Sequence, residues 1–120
     1  MLNYYNEYMN NSVMTATPQE LILMLYDGCI KFINRAAASI DNMDFEESNM
    51  DILKAENIIT ELRSSLDMSY KISEDLDKLY GFFTDMLVQA NISKDKEKLL
   101  QILPLIKDLR GTWAEAQKKV

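Results

Sequence analysis

The chain has no histidine, one cysteine, three glycines and two prolines among 120 residues. Without histidine, no Ser/His/Asp or Cys/His nucleophile arrangement can be built. The Glu-x-x-His pairs with which helical bundles hold di-iron centres are missing for the same reason. There is no Walker loop and no GxGxxG phosphate loop. A single cysteine allows no internal disulfide, which fits a reducing compartment. Cys29 has no histidine to activate it and reads as a small buried hydrophobe. The net charge is −6 and no run of Lys or Arg stands out, so the basic footprint of a nucleic-acid binder is lacking. No apolar stretch approaches the roughly 18 residues of a membrane span. Residues 1–16 have neither the basic start nor the apolar core of a signal peptide. These absences disfavour an enzyme, a cofactor, a metal site, nucleic acid and membrane insertion, and they favour a cytoplasmic location. Asp44, Glu46 and Glu47 read as capping residues on a solvated face.

What is present is helix. Nearly half of the residues, 48%, are apolar, and Leu, Ile, Met, Ala, Glu and Lys dominate with few breakers among them. The chain is organised around residues 17–33, TPQELILMLYDGCIKFI. Thr17 is a good N-cap, Pro18 suits the first helical position, and Glu20 completes a capping box. Leu21, Leu25, Cys29, Phe32 and Ala36 then recur at the spacing of a packed helix face. This helix is expected from Pro18 to about Asp41.

Asp44 with Glu47 caps a second helix, whose seam is Ile52, Ala55, Ile59, Leu62 and Leu66, widened by Ile58. Residues 67–72 read as a connection with a weak apolar side. Ser73 is expected to open the third helix, with seam Leu76, Leu79, Phe83, Met86 and Ala90, ending near Asn91. A fourth starts between Ser93 and Lys96, with seam Leu99, Ile102, Ile106, Leu109, Trp113 and Ala116. The expected fold is all-α: an antiparallel four-helix bundle over residues 17–120, with residues 1–16 as an N-terminal arm packed on it. Tyr5, Tyr8 and Val13 are the arm's expected anchors. Gly81 and Gly111 fall inside helices at a cost of about 1 kcal/mol each. Pro104 removes a backbone hydrogen bond and predicts a kink or restart of helix four near residues 100–104.

Surplus apolar residues remain outside the seams: Ile22, Met24, Ile30, Tyr80, Phe82, Leu87, Leu100 and Leu103. Some widen the core-facing stripe. With eight methionines, others provide the adaptable surface that suits a groove for an amphipathic helix.

The order of motifs resembles the flagellin-specific export chaperone FliS family over nearly the whole chain. Tyr5 and Tyr8 are followed by Asn11-Ser12-Val13 and Thr15-Ala16-Thr17-Pro18. Glu20-Leu21, Leu23-Met24-Leu25-Tyr26, Gly28-Cys29 and Lys31-Phe32-Ile33 continue the match. Lys54-Ala55, Ile58-Ile59 and Glu61-Leu62 are similar to the family's second helix. Leu79-Tyr80, Leu87 and Ala90-Asn91 are similar to the third, and Trp113 to the fourth.

The resemblance implies a non-enzymatic cytoplasmic chaperone that binds the disordered C-terminal segment of flagellin and prevents premature polymerisation. It also implies delivery to the flagellar type III export apparatus, with the cytoplasmic domain of the export-gate protein as a second partner. By the same resemblance, Tyr5, Tyr8 and Val13 are binding or gating residues of the arm. Groove candidates are Met24, Ile58, Leu62, Tyr80, Phe83 and Leu87. Alternatives are a self-associating structural bundle forming a homodimer when free, a small secreted helical effector and, more distantly, a metal or nucleotide enzyme. If the tyrosine arm covers part of the groove, deleting residues 1–14 changes flagellin affinity and leaves the bundle folded. Unchanged affinity in a calorimetric titration refutes that gating.

Overall fold

The structure is a computed structural model and describes residues 15–118. Four helices follow in order: α1 (Pro18–Asp41), α2 (Phe45–Ser64), α3 (Lys71–Ser93) and α4 (Lys96–Lys118). Helix α1 packs on α2 and α4, and α3 packs on the same two. The helices therefore sit at the corners of a square, with α1 and α3 on one diagonal.

Their directions follow from polar contacts at both ends of each neighbouring pair. Arg63 near the end of α2 forks onto Asp77 near the start of α3, while Asn91 near the end of α3 donates to Asn49 near the start of α2, at 2.8 Å. Those two helices are antiparallel. In the same way Lys96 meets Asp41 at 2.9 Å, and Gln117 donates to the Gln19 carbonyl at 2.8 Å, so α4 runs antiparallel to α1. Exposed pairs of this kind contribute at most about 1 kcal/mol each. Their main consequence is register.

The helix starts obey local chemistry. The Thr17 hydroxyl accepts from the Glu20 amide at 3.1 Å and the Glu20 carboxylate accepts from the Thr17 amide at 3.4 Å. Asp44 caps α2 by accepting from the Glu47 amide at 3.3 Å. Helix α3 begins at Lys71, with Tyr70 at the cap position and no side-chain capping bond, so Ser73 does not open it. Ser73 instead lies buried inside the first turn and donates to the Asp67 carbonyl at 2.6 Å. Its hydroxyl looks like a cap in sequence, but it fastens the α2–α3 connection.

The core contains Ile33, Ile52, Ile59, Phe83, Leu87, Leu99, Ile102 and Ile106, all at 0% exposure. In α1 the buried stripe is Tyr26, Cys29, Ile33, Ala36 and Ala37, whereas Leu21, Leu25 and Phe32 are only half-buried. Tyr26 and Ile33 each lie one residue beyond an expected seam position, a turn of about 100° around the helix axis. An apolar band this broad leaves its centre line to be chosen by the neighbouring helices.

Helix α4 is continuous from Lys96 to Lys118 with Pro104 inside it, so the expected restart does not occur. Both Pro104 and Leu100, whose carbonyl loses its partner, are on exposed positions, and water can satisfy that oxygen. Gly81 makes room for the Arg63 guanidinium: an added Cβ would lie 3.3 Å from its Nη2. Gly111 faces open space.

Helix α1 ends in a Schellman arrangement, in which the Asp44 amide bonds to the Ser39 carbonyl at 2.8 Å and the Met43 amide to the Ile40 carbonyl at 3.0 Å. This closure puts Met43 at φ 59°, a left-handed conformation in which a side chain is strained. The Met43 side chain is 75% exposed and has little packing to lose. The left-handed penalty of about 1–2 kcal/mol exceeds glycine's entropic cost of about 0.5–1 kcal/mol. Met43→Gly is therefore expected to stabilise the bundle by up to about 1 kcal/mol, read as a higher urea midpoint at unchanged slope. A lower midpoint refutes the strain argument.

Candidate functional site

The connection between α2 and α3 is pinned by Asp67. Its carboxylate accepts from both the amide and the hydroxyl of Ser69, at 3.0 and 2.6 Å, and these bonds hold its pKa below the usual carboxylate value. With Ser73 on the Asp67 carbonyl, the connection curls over the end of the bundle and leaves a hollow beneath it.

That hollow has a volume of about 280 Å³ and takes a wall from every helix: Ile22 of α1, Leu62 of α2, Leu76 and Tyr80 of α3, and Trp113 of α4. Ser65, Leu66, Asp67 and Tyr70 of the connection and Ile72 and Ser73 of α3 complete it; Tyr70 and Ile72 are 64% and 65% exposed. A second hollow of about 200 Å³ continues between α3 and α4, lined by Ile72, Leu76, Leu109, Thr112, Trp113 and Ala116. The two share Ile72, Leu76 and Trp113 and form one apolar groove.

Its floor is polar but closed on itself. Trp113 Nε1–H donates to the Tyr26 hydroxyl at 3.1 Å, and that hydroxyl hydrogen-bonds to the hydroxyl of Tyr80. Tyr26 and Tyr80 are 0% and 1% exposed. Burial first, then the shared hydrogen bond, pushes the Tyr26 phenol far above its ordinary pKa; burial also raises that of Tyr80. Both stay neutral, so the floor presents no charge to an incoming apolar side chain. Cys29 lies wholly buried on the same helix, and burial pushes its thiol up to about 12. Such a thiol is protonated at neutral pH and inert as a nucleophile.

Among the sequence-predicted site residues, Leu62 and Tyr80 line this groove. Phe83 and Leu87 lie fully inside the core. Met24 is half-buried on α1; Ile58 is half-buried on α2, its Cδ1 3.2 Å from where a side chain on Gly28 would begin. The structure therefore brings together two of the six candidates from the bundle. Tyr5, Tyr8 and Val13 lie outside the described residues.

The groove also draws on Ile22, Leu66, Tyr70, Ile72, Leu76 and Trp113, which sequence reasoning did not assign to a site. The available signal was Tyr70 and Ile72, two large apolar groups in a connection where polar residues are the rule. Among the described residues no group of acids, cysteines or histidines is arranged to hold a metal ion, and no helix is long and apolar enough to cross a membrane.

Among the described residues, a helical bundle with an open, mostly apolar groove between all four helices has the form of a helical protein-binding module. The family model for flagellar protein FliS matches residues 1–120, and the chain belongs to that family. It is 44% identical over 114 residues to the flagellar secretion chaperone FliS of Bacillus subtilis (strain 168), covering 95% of this chain and 86% of that one. Against the flagellar secretion chaperone FliS of Escherichia coli (strain K12) it is 30% identical over 111 residues, covering 90% and 82%. A crystal structure of a flagellar chaperone from bacteria has the same fold, with a TM-score of 0.80, 19% identity and coverage of 99% and 98%. Membership of this family supports an export-chaperone role, and the relatives are named as chaperones.

Tyr26→Phe removes the oxygen shared by Trp113 and Tyr80 and is expected to destabilise the bundle by about 1–3 kcal/mol. Combining it with Tyr80→Phe should cost less than the sum of the two changes, because both delete the same hydrogen bond. Strict additivity in urea unfolding refutes a shared network.

Proposed function

We propose that this chain is the cytoplasmic chaperone of flagellin, covering the client's disordered C-terminal segment until export. The observation that carries this reading is the apolar groove at the α2–α3 end, walled by all four helices and floored by neutral phenols. A flagellin terminus that later forms helical contacts in the filament needs its apolar stripe covered beforehand. An open groove covers it without chemistry, and the entropy lost as the segment orders keeps the complex dissociable.

Leu62 and Tyr80 are assigned to the groove wall. Phe83 and Leu87 support it from the core side, and Met24 and Ile58 extend the contact along α1 and α2. Tyr5, Tyr8 and Val13 are assigned to gating. Thr17, at which α1 begins, lies about one turn before Ile22 of the groove, which supports this assignment. In this reading the loaded chaperone presents flagellin to the export apparatus through the cytoplasmic domain of the export-gate protein.

The test is a calorimetric titration with a peptide spanning the last ~50 residues of the organism's own flagellin, a length matched to coupled-folding interfaces of about 1,000–3,000 Å². One-to-one binding with a negative heat-capacity change, gained helicity and a shift in Trp113 fluorescence is expected. Leu66→Glu, which puts a charge into the groove, should weaken binding by at least about tenfold. Absence of binding by the folded bundle overturns the proposal. A mass that grows with concentration under those conditions favours the self-associating alternative.

A further inference from the structure

A second feature lies ten residues along α1 from Ile22, about 15 Å away at the helical rise. Three cations converge there on one half-buried ring. Lys31 Nζ is 4.8 Å, Lys54 Nζ 5.3 Å and Arg35 Cζ 5.8 Å from the centre of Phe32. Lys31 and Arg35 flank the ring on α1, and Lys54 reaches it from α2. Like charges gathered on a chain of net charge −6 repel one another, and the ring face offsets only part of that repulsion.

Beneath the cluster lies Asp51, 1% exposed, with neither carboxylate oxygen hydrogen-bonded. Arg35 Nε stands 3.7 Å from its Oδ2, too far for a hydrogen bond but close enough for attraction. The buried carboxylate thus holds the guanidinium over the ring without using its donors. The contrast with the other two arginines is direct. Arg63 is forked onto Asp77 and Arg110 onto Asp27, whereas Arg35 makes no hydrogen bond among the described residues and its side chain is 53% exposed. Lys54 is also exposed, lies 5.3 Å from the ring centre, and among the described residues forms no ion pair.

We propose that this face docks an acidic segment of a protein partner, with carboxylates on Arg35 and Lys54 and an apolar side chain against Phe32. Arginine donors held in place by a buried counter-charge are suited to carboxylate recognition. The ring between the cations accepts the aliphatic or aromatic residue that separates acids in such a segment. A lipid surface or a nucleic acid presents many negative charges at once and is repelled by the rest of this acidic chain. A short acidic segment engages the cluster alone. The proposal does not depend on flagellin as client, since the face is separate from the apolar groove.

The test is fluorescence anisotropy of the full chain with a labelled peptide in which glutamate pairs alternate with leucine, against the same peptide with lysine in place of glutamate. The acidic peptide is expected to bind, more weakly as salt rises. Binding by Arg35→Gln/Lys54→Gln should be about tenfold weaker, as expected for the loss of two partly exposed charge pairs. Arg35→Gln leaves Asp51 without its ion-pair partner, so Lys54→Gln, which touches no buried group, is measured separately and should weaken binding at unchanged circular dichroism. Equal affinity of wild type and both variants, equal binding of the lysine peptide, or capture by phosphatidylglycerol vesicles without capture of the acidic peptide overturns the proposal.

Discussion

The hydroxyl of Tyr26 is the point on which the architecture turns. It joins α1 to α3 across the diagonal through Tyr80 and takes the indole hydrogen of Trp113 from α4. Buried polar groups are costly without partners, because water is no longer available to them. Three large amphipathic side chains satisfy one another here, so three helices are held at one level and rotation. The apolar groove is built above that level. A pair of phenylalanines in the same place would bury as much area but would specify neither the rotation of α1 nor the position of the indole.

Around this point the helices are aligned by weak contacts at their ends. The Arg63–Asp77, Arg110–Asp27 and Lys96–Asp41 pairs are exposed to solvent, so their contribution is to geometry more than to stability. Apolar burial supplies most of the cohesion, with at least one isoleucine or leucine from each of the four helices fully removed from water. The polar pairs choose among the packings that burial alone would permit. Arg35 and Asp51 are the exception. There a buried carboxylate remains without a hydrogen bond, an arrangement whose physical sense lies in orienting a neighbour.

Two surfaces of opposite character result. The end groove is mostly apolar and shaped by a connection tied to itself through Asp67, Ser69 and Ser73. The Phe32 face is small, cationic and rigidly backed by helix. In the two readings proposed above, apolar contact in the first would give affinity that is insensitive to salt, while charge in the second would give orientation and fast encounter.

Much of the fold was legible in residue order. The capping box at Thr17, the Asp44 cap, the four apolar periodicities and the short connections determine the helices, the starts of the first two and their antiparallel succession, because these rest on contacts within a few residues. The ordered motifs also identified the family. Tertiary structure alone decided the rotation of α1, which buries Tyr26 and Ile33 in place of Leu25 and Phe32, since a broad apolar band has no unique centre until neighbours pack on it. It decided that Pro104 lies inside a continuous helix, because only packing shows that the affected carbonyl is on the solvent side. It placed Phe83 and Leu87 wholly within the core, and Leu62 and Tyr80, almost as deeply buried, where they back an open groove, although all four have the same helical spacing. Spacing along a helix says which residues share a face, but only the neighbouring helices determine whether that face is closed or open.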